Sequence, residues 1–184
     1  MQFLQQQIPG IWVIEPKRFG DARGYFSETF KMDEFRSHIG DISFIQDNES
    51  FSTRGVLRGL HFQRGEFSQA KLVRVSQGAV LDVAVDLRKS SPAFGRYVAV
   101  ELSHDNGRQL FIPRGFAHGF VVLSDAAQFQ YKVDNIYAPQ SEMTLRFDDP
   151  DIAVDWRVNP DEMLLSDKDL RGHSFAEIAE NYSF

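Results

Sequence analysis

The sequence predicts an all-β fold of the jelly-roll kind, a barrel or sandwich of short strands with helices only at its edges. Three observations carry this reading. Apolar residues recur with period two over several short runs, as in strands that bury one face. Turn-forming residues separate those runs: Gly78, Ser90-Ser91-Pro92, Asp105-Asn106-Gly107, Pro113 with Gly115, and Ala138-Pro139. Aromatic residues, which favour strands, make up 13% of the chain, with 17 Phe.

The elements follow in chain order. Met32, Phe35 and Ile39 lie at i, i+3 and i+7 and predict a short helix near the N-terminus. From Leu81 to Leu87 the aliphatic residues fall on one strand face, and Asp82, Ala84 and Asp86 fall on the other. That polar face belongs either to solvent, the usual case, or to the lining of a barrel cavity. Val98, Val100 and Leu102 predict a further strand, as do Phe129, Tyr131 and Val133, and then Met143, Leu145 and Phe147. Near the C-terminus, Ser174 with Glu177 reads as a capping box ahead of Ile178, Ala179 and Tyr182. No repeat, low-complexity stretch or linker interrupts the pattern, so residues 1–184 are expected to form a single domain.

Composition narrows the function. The 184 residues suffice for a buried core, and no apolar run approaches the ~20 residues needed to span a bilayer. Met1 to Gly10 lacks the basic and apolar regions of a secretory signal, so a cytoplasmic address is expected by elimination. With no cysteine, disulfides, thiolate metal sites and a cysteine nucleophile are excluded. A net charge of −6 argues against a nucleic-acid partner, yet leaves room for an anionic small molecule in a locally basic pocket.

Four segments could carry chemistry. In Arg54-Gly55-Val56-Leu57-Arg58-Gly59-Leu60-His61-Phe62-Gln63, a histidine between Leu60 and Phe62 is ordinarily a core residue. The two arginines, two glycines and glutamine around it are more polar than a core strand needs. Strand spacing puts Arg58 and His61 on opposite faces unless Gly59 introduces a bulge. In Ile112-Pro113-Arg114-Gly115-Phe116-Ala117-His118, a tight turn delivers His118 to the start of an apolar strand. Its Pro-x-Gly-x-x-His spacing resembles the second motif of the cupin superfamily of small β-barrels. A cupin metal site would want two histidines one residue apart plus a carboxylate. Here Phe62-Gln63 follows His61, and His38, His104 and His173 sit in surface contexts, so no metal is expected. Tyr131 reads either as a core tyrosine or as an acid able to protonate a carbanion in a dry pocket. Leu164 to Asp169 reads either as a solvated charged turn or as the source of an acid that orients a histidine.

Together these segments resemble the dTDP-4-dehydrorhamnose 3,5-epimerase family of cupin-fold enzymes. The sharpest matches are Phe19-Gly20-Asp21-Ala22-Arg23-Gly24, Gln46-Asp47-Asn48, Val56 to Gln63, Lys71-Leu72-Val73-Arg74 and Ile112 to Phe120. The resemblance implies a cupin-type jelly-roll β-barrel and a cofactor-free enzyme that inverts C3 and C5 of dTDP-4-dehydro-6-deoxy-D-glucose. It implies His61 as base, Asp169 as its acidic partner, Tyr131 as proton donor and Lys71 as the cation near the sugar carbonyl. Substrate contacts are implied for Arg23, Glu28, Gln46, Asp47, Asn48, Arg58, Lys71, His118, Glu142 and Lys168, and a thymine-stacking ring for Tyr137. It also implies a homodimer. Two positions depart from the family pattern: Glu49 stands where a histidine is expected, and Trp156-Arg157 replaces Trp-Pro. Relatives that epimerise a single centre are similar in pattern, and a non-catalytic nucleotide-sugar binder would need the arginines without the acid–base pair.

Overall fold

Period-two alternation with short turns is satisfied when strands pair into sheets and bury one face each. The computed structural model describes residues 1–182. Its strands are β1 (Gln2–Gln5), β2 (Trp12–Glu15), β3 (Arg18–Asp21), β4 (Gly24–Ser27), β5 (Gln46–Thr53), β6 (Leu57–Gln63) and β7 (Lys71–Gln77). They continue as β8 (Ala79–Asp86), β9 (Tyr97–Ser103), β10 (Gln109–Ile112), β11 (Phe116–Val122), β12 (Ala126–Val133) and β13 (Glu142–Thr144). The α-helices are α1 (Met32–His38), α2 (Asp167–Leu170) and α3 (Phe175–Asn181). Six strands pair in the order β1-β2-β10-β7-β12-β5, five in the order β13-β6-β11-β8-β9, and β3-β4 forms a separate hairpin. Two antiparallel sheets sharing one interior make the cupin-type jelly roll that the sequence predicts.

The interior is filled from both sheets. Val13, Val73, Val75, Leu110 and Phe129 of the six-stranded sheet meet Val80, Ala84, Leu102, Phe120 and Val122 of the five-stranded one. The outer faces are covered too. Leu60, Phe62, Leu81, Val83, Val85 and Val121 pack against a C-terminal layer that includes Trp156 and Ile178. Ile14, Leu72 and Phe111 pack against Phe35 of α1. The capping box at Ser174 and Glu177 starts α3, as its sequence signature predicts. Among the described residues no helix is long and apolar enough to cross a membrane.

Three local outcomes differ from, or decide between, the expectations. Asp82 and Asp86 face neither solvent nor an open lumen: both are fully buried, because β11 and β9 flank β8 and both faces of β8 are packed. The strand expected through Phe147 ends at Thr144; Leu145 still exchanges backbone hydrogen bonds with Leu60 and bridges to His173 before the chain turns. Arg157 sits at φ 55°, a conformation closed to a proline ring, so Trp156-Arg157 builds this turn as Trp-Pro could not.

The most consequential irregularity is in β6. His61 lies opposite His118 and Arg58 opposite Phe120, so three steps along β6 match two along β11. This bulge sends Leu57, Leu60 and Phe62 outward and turns Arg58 and His61 to the same, inner side. Gly59 and Gly119 allow it. A Cβ on Gly59, whose φ is +133°, would lie 2.5 Å from the Gly119 Cα, and one on Gly119 would lie 2.6 Å from the Arg58 carbonyl oxygen. Gly119→Ala is therefore expected to destabilise the protein by roughly 1–3 kcal/mol, the range for overpacking. That corresponds to a fall of about 2–12 °C in Tm by differential scanning calorimetry, and an unchanged Tm would refute the close approach.

Candidate active site

With the bulge in place, β6 aims His61 into the interior, where Asp169 of α2 meets it. The His61 Nε2 lies 2.6 Å from Asp169 Oδ1. Asp169 is buried and is the most heavily bonded carboxylate of the site: its Oδ1 also accepts from the Gly59 amide at 3.3 Å, and its Oδ2 accepts from the Ser166 hydroxyl at 2.6 Å. Burial alone would raise its affinity for a proton, but these hydrogen bonds outweigh burial and hold the carboxyl below its ordinary range. An ionised Asp169 accepting from Nε2–H leaves the His61 Nδ1 lone pair as the basic atom. Ser166 also caps α2, accepting from the Asp169 amide, so one residue fixes both the helix start and the carboxylate.

The facing sheet supplies the rest. Tyr131 of β12 points inward, in register with Val73 and Asn48. Burial and the nearby Glu142 push its phenol upward, partly offset by Arg58, so it stays protonated and able to donate. Lys71, at the start of β7, is pulled down to about 8 by desolvation, against the attraction of Asp82 and Glu142 and with the repulsion of Lys168. His118 is buried, and its Nε2 faces both Asp82 carboxylate oxygens at 3.1 and 3.0 Å. Desolvation dominates and holds this imidazole below the usual histidine range.

At the open edge, where β5 leads into β6, the Arg58 Nε donates to the Ser52 hydroxyl at 3.0 Å and so ties the two sheets together. Gln46 donates to Asn48 at 2.8 Å on the same strand. Across the opening, Glu142 accepts from the Tyr137 hydroxyl at 2.9 Å and pairs with the Lys168 ammonium at 2.5 Å. Its carboxyl is raised by burial but brought below the ordinary range by those two partners. Gln63 carries the loop that presents Tyr137, bonding Phe67, Ile136 and Ala138 through both ends of its amide.

His61, Asp169, Lys71, Tyr131, Arg58, His118, Glu142, Tyr137 and Lys168 thus share one electrostatic neighbourhood. Five residues named from the sequence are not joined to it by any side-chain hydrogen bond or ion pair among the described residues: Gln46 and Asn48, which bond each other, and Arg23, Glu28 and Asp47. Arg23, exposed at the turn of the β3–β4 hairpin, pairs with Asp21 at 2.5 Å. Glu28 is exposed beyond β4 and acts on Lys31. Asp47 points to the outer face of the six-stranded sheet and pairs with Lys132 at 2.8 Å. There it lines a groove of about 400 Å³ with Glu49, Arg74 and Gln130. Glu49, the departure noted above, accepts from Gln130 at 2.6 Å, and Gln130 in turn accepts from Arg74. Sequence reasoning assigned no role to Ser52, Gln63, Asp82 or Ser166. The one available signal was the period-two face that Asp82 shares with Ala84 and Asp86. Among the described residues, no group of three His, Asp or Glu is placed to hold a metal ion.

Comparison with known proteins identifies the family. A family model described as dTDP-4-dehydrorhamnose 3,5-epimerase matches residues 5–177. The dTDP-4-dehydrorhamnose 3,5-epimerase of Shigella flexneri is 51% identical over 179 residues, covering 96% of this chain and 97% of the relative. A solved dTDP-6-deoxy-D-glucose-3,5-epimerase from Legionella pneumophila, in complex with dTDP-4-keto-L-rhamnose, superposes with a TM-score of 0.94 at 45% identity, covering 99% of this chain and 97% of that one. The corresponding epimerase structure from Elizabethkingia anophelis gives a TM-score of 0.93 at 46% identity, covering 96% and 97%. Fold, inward-facing polar cluster and near full-length similarity lead to one assignment: the chain belongs to the dTDP-4-dehydrorhamnose 3,5-epimerase family.

Proposed function

We infer that this enzyme inverts C3 and C5 of dTDP-4-dehydro-6-deoxy-D-glucose to give dTDP-4-dehydro-L-rhamnose, a step of dTDP-L-rhamnose biosynthesis. The observation that carries the inference is the pairing of His61 with Asp169 at 2.6 Å opposite a protonated Tyr131 on the facing sheet. The C4 ketone acidifies the hydrogens on C3 and C5. His61 Nδ1 removes one of them, the C–H electrons move onto the C4 oxygen as an enolate, and Asp169 stabilises the imidazolium. The Lys71 ammonium lowers the energy of the enolate oxygen. Tyr131 then returns a proton to the opposite face of the same carbon, and solvent restores both groups before the second centre reacts. All the bonds broken and made are C–H, N–H and O–H bonds, so the scheme uses proton transfer alone.

The binding assignments follow the same reading. Arg58 is suited to bidentate contact with a phosphate, and Gln46, Asn48, His118, Glu142 and Lys168 to the polar groups of the nucleotide sugar. Tyr137, 55% exposed at the opening, is suited to stacking on the thymine. Residues 1–184 act as one catalytic domain in the cytoplasm, as a homodimer. Dimerisation would cover Phe19, Tyr25 and Phe26 of the β3–β4 hairpin, which are 49%, 49% and 66% exposed. It also gives Arg23, Glu28 and Asp47 a route to a nucleotide, because no side-chain hydrogen bond or ion pair among the described residues joins them to the cluster of their own chain.

Three tests follow. In deuterated water, proton NMR with dTDP-4-dehydro-6-deoxyglucose should show deuterium entering at both C3 and C5. Tyr131→Phe should lose at least about 100-fold in turnover while keeping dTDP affinity, and His61→Ala should abolish exchange at both carbons. Exchange at one carbon would make this a single-centre epimerase, and an unimpaired Tyr131→Phe enzyme would refute the acid–base pair. The pH profile is the second test. Lys71 is cationic below about 8 and neutral above it, so kcat should fall as pH rises through about 8. A kcat flat from pH 7 to 9.5 would count against Lys71 as the enolate's partner. For the third, co-expressing Arg23→Ala with His61→Ala should restore part of the activity that each variant lacks alone, through mixed dimers with one intact site. Mixed dimers without recovery would place Arg23 with the His61 of its own chain.

A further inference from the structure

Within the interior lies a second aspartate–histidine pair to which the acid–base scheme gives no task. Asp82 of β8 has 0% exposure and His118 of β11 has 7%. Their strands are directly paired, with Asp82 opposite Phe120 and His118 opposite Ala84, so the two side chains lie one diagonal apart on the inner face. Both Asp82 oxygens lie within hydrogen-bond reach of a single ring atom, His118 Nε2. A fully buried carboxylate persists only when paired, and here its neighbours are the imidazole and, through space, the Lys71 ammonium.

We propose that Asp82 is a positioning residue for the epimerisation: it fixes His118 as the neutral Nε2–H tautomer and supplies the buried negative charge that keeps Lys71 cationic at the sugar carbonyl. The first half follows from geometry. With Nε2–H committed to Asp82, Nδ1 is the one ring nitrogen with a lone pair, and His118 meets the substrate as a hydrogen-bond acceptor. The second half follows from the charges around Lys71. Asp82 of β8 and Glu142 of β13 favour the ammonium and Lys168 of α2 opposes it. Of the two favourable carboxylates, Glu142 is already shared with Lys168 and Tyr137, which leaves Asp82 as the more dedicated partner. Around His118 stand Asp82, Lys71 and His61: desolvation, helped by Lys71 and His61, keeps the ring neutral against the pull of the Asp82 charge, so what Asp82 decides is which nitrogen carries the proton. The proposal rests on Lys71 serving the enolate as described above.

Asp82→Asn tests it, because the amide oxygen can still accept from Nε2–H while the charge is removed. The expected result is a kcat reduced about fivefold at pH 8, with the alkaline fall of kcat moved to lower pH by about 1. Affinity for dTDP should be unchanged. An alkaline limb that is present in the unmodified enzyme and unmoved in Asp82→Asn would overturn the proposal, whatever the loss of stability. An unmodified enzyme with no such limb would instead count against the role of Lys71. If the variant does not fold, nitrogen NMR of the His118 ring in the unmodified protein decides the tautomer. Protonated Nε2 with unprotonated Nδ1 supports the proposal, and the reverse tautomer or an imidazolium at pH 7 overturns it.

Discussion

The close approach of Gly59 to Gly119 is the constraint on which the rest of the site depends. Two backbones can come this near only where neither carries a Cβ, and the result is one extra residue in β6 relative to β11. In a regular strand, Arg58 and His61 would face opposite sides, and one of them would be lost to the outer layer. With the bulge, the three apolar residues Leu57, Leu60 and Phe62 still reach the outer core, and both functional side chains turn inward. The Gly59 amide, placed by the same distortion, also donates to Asp169. The residue that permits the bulge therefore helps hold the carboxylate that orients the histidine.

A polar cluster inside a β-sandwich must be satisfied or it destabilises the fold. Here three carboxylates of the cluster each have a counterpart supplied from another strand or from the C-terminal segment. Asp169 has three donors, Asp82 has His118, and Glu142 is shared by Lys168 and Tyr137. These pairings also set the chemistry. The partners of Asp169 and Glu142 hold those two carboxyls below their ordinary range, while desolvation pushes the Tyr131 phenol up, holds the His118 imidazole down against the pull of Asp82, and lowers Lys71 to about 8. A chain of net charge −6 can thus present cationic and proton-donating groups at one place, because local pairing rather than net charge sets the potential of the site.

Much of this was legible in the sequence. Alternation and turn residues identified β8, β9 and β12, and the i, i+3, i+7 spacing and the capping box identified α1 and α3, because each of those signals is local. The family motifs single out His61, Tyr131, Lys71 and Asp169 from residue type and spacing, with no reference to any contact between them. The fate of Asp82 and Asp86 was not legible, since a polar strand face looks the same whether it meets water or a buried partner. Nor was the end of β13, where the chain leaves the sheet to build the C-terminal layer.

The sequence by itself determined the periodicity, the turn positions and the residue types available for proton transfer, all of which depend on neighbours within a few residues. Tertiary structure alone decided that Asp169 meets His61 across 108 positions of chain, that Asp82 serves His118, and that Asp47 turns to the outer face. The reason is physical. Pairing two strands through a bulge and docking a C-terminal turn onto them are set by the packing of distant surfaces, and no local spacing encodes which surfaces will meet.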